Sequence, residues 1–180
     1  MDFSLVSAAH PTTLTDSLMR RLDIIAEQYE LEPLKHSCPG EMLVNLTMSL
    51  FKKYGSKNRV VLIVDEYDKP ILDHVNNREV AEEMRKILKN FYEFFKGLDE
   101  YLRFTFITGI TRFSKTSIFS GMNQLVNITM EPQFAHLVGY TRDEIQSNFH
   151  EHLRNIVKIC NERNELITID ALTDTLEAWY

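Results

Sequence analysis

The stretch RVVLIVDEYDKPI, residues 59–71, sets five aliphatic residues, Val60 to Val64, directly against Asp65 and Glu66, with Asp68 and Lys69 close behind. A short apolar run of this kind, rich in β-branched residues, reads as a buried strand, so the acids stand on its last step. Carboxylates on such a rigid support can hold a magnesium ion, which keeps most of its waters and accepts one or two carboxylates plus phosphate oxygens. In that chemistry Asp65 is the metal ligand, and Glu66 orients and deprotonates an attacking water. The competing reading is structural: a buried strand must surface somewhere, and acids there can be solvated or cap the next helix.

A second stretch bears on the choice. FTFITGITRFSK, residues 104–115, runs another apolar strand into Thr108, Gly109, Thr111, Arg112, Ser114 and Lys115. A polar, basic loop of this composition beside two acids suits a nucleotide. Thr108 could then sense a γ-phosphate or its water, while Arg112 or Lys115 neutralises charge on phosphoryl oxygens. Alternatively, Arg112 pairs with Asp65 or Glu66 and locks the strand ends together.

The elements that must position these residues follow from periodicity. Leu14, Leu18, Leu22, Ile25 and Tyr29 form one helical stripe. Leu43, Leu46, Leu50 and Tyr54 form a second, ending at Lys52, Lys53 and Gly55, residues suited to a helix C-terminus. Val80, Met84, Ile87, Leu88, Phe91 and Phe95 form a third. The density of Phe91, Tyr92, Phe94 and Phe95 is better explained by core packing than by a binding face, because Phe91 and Phe95 lie on the stripe. Thr141 and Glu144 have capping-box spacing ahead of Ile145, Phe149 and Leu153, and a last helix runs from Asp170 through Leu172 and Leu176 to Trp179. Strands are expected at DFSLVSA near the N-terminus, at Val60–Val64, at residues 102–110 and at Val126–Met130. Strands separated by helical stretches imply parallel crossovers, hence an α/β class with helices layered around a mostly parallel sheet. Ligands collect beyond the carboxyl ends of such strands, where Asp65 and Glu66 stand.

The chain has 180 residues, enough for one domain with a real core, and its formal net charge of −6 gives no overall basic field that would advertise nucleic acid. Cys38 and Cys160 lack metal-ligand spacing and read as free thiols of an intracellular, cytoplasmic protein. No apolar run is long enough for a bilayer span, so no membrane partner is expected. His150 and His152 are spaced so that a helix points the rings apart, which argues against a metal pair.

The blocks VVLIVDEYDKPI, FTFITGITRFSKTSIFSGMNQL and LVGYTRDEI, with the closing EAWY, together resemble the AAA-ATPase-like domain family, P-loop NTPases often fused to a PD-(D/E)XK nuclease-like C-terminal domain. The resemblance extends over nearly the whole chain. It implies a hydrolase domain of the ASCE type, with Mg²⁺ and ATP as cofactors. Asp65 and Glu66 would be the Walker B pair, and Thr108 to Arg112 would occupy a sensor-like strand end. It also implies nucleic acid as a partner through a fused nuclease-like domain. The acids here do not form that nuclease site, because Tyr67 stands where an acid should precede Lys69. One departure is marked: the 6 glycines, at 40, 55, 97, 109, 121 and 139, include none in a G-x-x-x-x-G-K-[ST] phosphate loop. The backbone donors and lysine that grip the β and γ phosphates are therefore missing from this sequence. The expectation is a single AAA-ATPase-like domain over residues 1–180, incomplete at its N-terminus and truncated at its C-terminus, with ATP hydrolysis impaired. A non-catalytic ATPase-like module acting by protein contact is the alternative. With the family's strand order, 5-1-4-3-2, the absent first strand would bare the edge of the 103–110 strand, favouring self-association and marginal stability.

Overall fold

The computed structural model describes residues 1–179 apart from 35–36, 56, 112–117, 120–121, 123–124, 135–136 and 138. The elements in chain order are α1 (Pro11–Gln28), α2 (Pro39–Tyr54), β1 (Val60–Val64), α3 (Lys69–Leu72), α4 (Arg78–Glu93), β2 (Leu102–Ile107), α5 (Arg142–Asn148), α6 (His150–Glu162) and α7 (Ile169–Trp179). The class is mixed α/β, mostly helical, with a small two-stranded parallel sheet among the described residues. The chain divides into two compact units, Met1–Leu125 and Val126–Tyr180.

In the first unit the expected stripes build the core. Leu14, Leu18, Leu22 and Ala26 of α1, Met42, Leu43, Leu46 and Leu50 of α2, and Met84, Leu88, Phe91 and Tyr92 of α4 are buried in one cluster with Val64, Phe95 and Leu98. Tyr29 and Tyr54, at the ends of their stripes, are exposed and pack edge to face, 6.3 Å between ring centroids. Helix ends follow local chemistry. Pro11 and Pro39 open α1 and α2, where a missing N–H costs nothing. The Asn77 side chain accepts from the Val80 amide to start α4, and Gly55 closes α2 at φ 81°.

β1 and β2 run parallel, Val61 opposite Phe104 and Ile63 opposite Phe106, with an irregularity between Val60 and Val61. Val64 is fully buried, and Val60, Leu62 and Ile107 pack against the core cluster. The alternate residues face the other way: Val61, Ile63 and Phe104 are each about half exposed. Phe104 and Phe106 stack on that outer face with centroids 6.1 Å apart.

The structure corrects three expected elements. DFSLVSA is not a strand: Asp2 makes a single parallel bridge to Asp65, after which residues Phe3–Leu5 form a 3₁₀ turn, with the Asp2 side chain accepting from the Ser4 amide. A capping carboxylate at the second residue stops the extended run. The strand expected at Val126–Met130 does not form either. Asn127 accepts from the Thr129 amide in a local turn, and Val126 and Met130 are exposed, so alternation there has no surface to bury against. The helix expected from Thr141 onward starts with the anticipated capping box but breaks at Phe149, giving α5 and α6. In the second unit Leu153 and Thr173 are buried, and Arg142 of α5 pairs with Asp174 at 2.6 Å and Glu177 at 3.0 Å on α7. No helix among the described residues is long and apolar enough to cross a membrane.

Candidate functional site

β1 and β2 deliver their C-terminal ends side by side, and the two following turns are laced together. The Thr108 amide donates to the Val64 carbonyl at 2.8 Å, and the Tyr67 amide to the Thr108 carbonyl at 3.0 Å. Two side chains complete the lacing at the surface: the Thr108 hydroxyl donates to Oδ1 of Asp65, and the Glu66 amide donates to the same oxygen at 3.0 Å. Neither engages Oδ2. Asp65 is exposed and Glu66 half-buried. Glu66 holds φ at 54°, the left-handed region, which costs a non-glycine residue about 1–2 kcal/mol. This turn sends the chain away from the strand at once and opens α3.

Beneath the exposed acid lies a buried one. Asp68 is 1% exposed, and its Oδ2 accepts from both the amide and the hydroxyl of Thr111, each at 2.5 Å. The Tyr67 hydroxyl donates to the Thr111 carbonyl at 2.6 Å. Gly109 makes this approach feasible: a Cβ there would sit 2.5 Å from Tyr67 Cε1 and 2.6 Å from Asp68 Oδ1. The Tyr67 ring also packs on Phe119, whose other neighbour is Tyr92, with centroids 4.9 and 5.0 Å away. Tyr92 is fully buried, and its hydroxyl has no partner among the described residues. Burial, reinforced by Tyr67 and Asp68, holds its phenol well above the usual tyrosine range.

Of the residues singled out in the sequence, Asp65, Glu66 and Thr108 come together at one strand end. Arg112 and Lys115 lie outside the described residues. Asp68 neither reaches the surface nor caps α3, whose start lacks a side-chain cap. Instead it ties the two strand-end turns together, a contact between positions 43 residues apart. Sequence reasoning missed it because such a pairing leaves no local signature, although the glycine at 109, right after the second strand, marks a close approach.

As a metal site, the arrangement has one well-placed carboxylate. No group of three or more His, Cys, Asp or Glu side chains among the described residues is arranged to hold an ion. That fits a magnesium ion whose remaining ligands are water and phosphate, and not a site that binds a metal on its own. The fit to a triphosphate is poorer, because the sequence has no glycine-lysine loop to cradle it.

Residues 1–119 match the family model described as Predicted AAA-ATPase, and the chain belongs to this AAA-ATPase-like family. The match ends close to the boundary of the first compact unit and does not reach LVGYTRDEI or the closing EAWY. The chain is also 37% identical over 122 residues to an uncharacterised protein in the vnfD 5′ region of Azotobacter chroococcum mcd 1. That similarity covers 68% of this chain and only 21% of the relative, so the chain spans a minor part of the relative's length. No solved structure matches the chain.

Proposed function

We propose that the ends of β1 and β2 form the metal-and-water half of a Mg·ATP site. Asp65 would hold the hydrated Mg²⁺ through Oδ2, leaving Oδ1 to Thr108 and the Glu66 amide. Thr108, fixed by that bond, would sense the γ-phosphate or its water, and Glu66 would orient the water and take its proton. Arg112 and Lys115 follow Thr108 in sequence and would supply positive charge to the phosphoryl oxygens. The observation that supports this reading is the Thr108–Asp65 hydrogen bond, which joins an acid and a polar sensor at neighbouring parallel strand ends. The grip on the phosphates is the weak part, since no segment of the sequence supplies a phosphate loop. ATP affinity of this chain is therefore expected to be weaker than about 1 mM, against the micromolar range a full loop supports.

Calorimetric titration of ATP with and without Mg²⁺ tests the proposal. Weak binding that requires Mg²⁺, and loses that requirement in Asp65→Asn, supports it. Binding indifferent to Mg²⁺ and to Asp65 overturns it. A second reading, an ATPase-like module that works by protein contact, draws on the half-exposed apolar face of Val61, Ile63 and Phe104. No detectable ATP binding at any Mg²⁺ concentration would favour that reading.

A further inference from the structure

The turn that joins α6 to α7 holds a leucine out in solvent. Its backbone is braced at four points: the Arg163 and Glu165 amides donate to the Cys160 carbonyl at 2.9 and 3.0 Å, the Asn164 amide donates to the Asn161 carbonyl at 3.1 Å, and the Ile167 amide donates to Oδ1 of Asn161 at 3.0 Å. Asn164 takes φ 62°, a left-handed position that asparagine tolerates just past a helix. Leu166, between Glu165 and Ile167, is 93% exposed. One exposed leucine is ordinary on a protein surface. This one is presented on a fixed backbone, and Glu165, its neighbour in the chain, is exposed with it.

Beside that turn lies a groove of about 530 Å³, lined by Arg154, Val157, Lys158, Asn161 and Glu162 of α6 and Ile169 of α7. The α6 residues recur at steps of three and four and so share one face of the helix. Val157 and Ile169 supply the apolar part, both half-buried, and Arg154 and Lys158 are exposed cations along it. Among the described residues, neither cation is in an ion pair, and Glu165 is in none either. Leu166 leaves the groove of its own chain unfilled, since it is almost wholly exposed.

We propose that this groove receives Leu166 of a second copy of the chain, and that the contact is reciprocal. Complementarity selects the second copy: an apolar knob with an acid next to it, and an apolar hollow with two cations next to it, stand at one end of the same helix pair. A two-fold dimer needs both halves of its contact on one patch, so that residue i meets j while j meets i. Leu166 of each copy would lie against Val157 and Ile169 of the other, and Glu165 would pair with Lys158, with Arg154 one turn before it adding positive charge. Glu162 in the groove is a like charge for Glu165 and favours the arrangement in which that acid lies toward Lys158 and Arg154. Two leucines and two ion pairs make a small contact, so the dimer is weak and forms at about 100 μM and above. The contact involves only the second unit and is independent of nucleotide binding.

Sedimentation velocity of the full chain tests this, at concentrations from about 10 to about 500 μM to bracket a small interface. Every protein compared carries Phe104→Thr, which removes the exposed ring of the sheet as a competing contact. The parent should dimerise. Leu166→Ser should weaken dimerisation by about tenfold or more with Tm unchanged, because the side chain it replaces is already in solvent. Lys158→Glu and Glu165→Lys should each weaken it when studied alone. An equimolar mixture of those two should dimerise as the parent does, because each chain then supplies the charge the other lacks. A parent that stays monomeric throughout, a dimer indifferent to Leu166→Ser, or a mixture no better than its components overturns the proposal.

Discussion

Asp65 and Asp68 stand three positions apart in one acidic cluster, yet they face opposite environments. Asp65 is exposed, so replacing it by alanine should cost about 1 kcal/mol or less. Asp68→Ala strips the buried acceptor from two part-buried donors of Thr111 and should cost about 2–3 kcal/mol in urea denaturation. Equal losses at the two positions would contradict the assignment of Asp68 as the structural acid. Tyr92 provides a pH test. Its folded-state pKa is raised by burial, whereas the unfolded phenol ionises near pH 10. The folded state thus keeps its proton where the unfolded state loses it. Tyr92's contribution to stability is complete below about pH 10 and is lost as pH climbs beyond. Tyr92→Phe should flatten that alkaline decline and, by removing an unpartnered buried hydroxyl, leave neutral-pH stability unchanged or raise it by about 1 kcal/mol. Denaturation midpoints from pH 7 to 11 (about the span in which a tyrosine titrates) provide the comparison.

At the scale of elements, the sheet is the unusual part. Parallel strands are normally covered on both faces, because their crossovers place helices there. Here Val60, Leu62 and Val64 face the helices, while Val61, Ile63 and Phe104 stay about half exposed on the reverse. The stacked Phe104–Phe106 pair makes that reverse face sticky. Phe104→Thr keeps a good strand former while removing the apolar ring. It should change stability by no more than about 1 kcal/mol and reduce concentration-dependent association in sedimentation velocity. An unchanged association profile would place any self-contact elsewhere.

At the scale of the whole molecule, the principal hydrophobic cluster among the described residues is drawn from the first unit, with its buried members running from Phe3 to Met122. Residues 1–125 expressed alone should therefore keep near-UV circular dichroism and melt cooperatively. A non-cooperative melt with bound hydrophobic dye would show that this core needs more than its own unit. The three helical stripes, the two paired strands, the capping box at Thr141 and the acidic strand end were all legible in the sequence, because each depends on residues within a turn or two of one another. The strand expected at Val126–Met130 was not realised. Alternation signals a strand only where a second surface buries one face, and Val126 and Met130 have none.

Local pattern alone determined that a strand ends in Asp65 and Glu66, and that a second ends in Thr108, since runs of β-branched residues and abrupt charge are written side by side in the chain; the full burial expected of the first strand is not realised, because only Val64 of β1 is buried. Only the tertiary structure decided that these two ends are neighbours, and that Asp68 is spent on Thr111 instead of on a ligand. Those facts depend on parallel register and on contacts between residues more than forty positions apart, and the free energy of such contacts arises only once the helices have fixed where each strand lies.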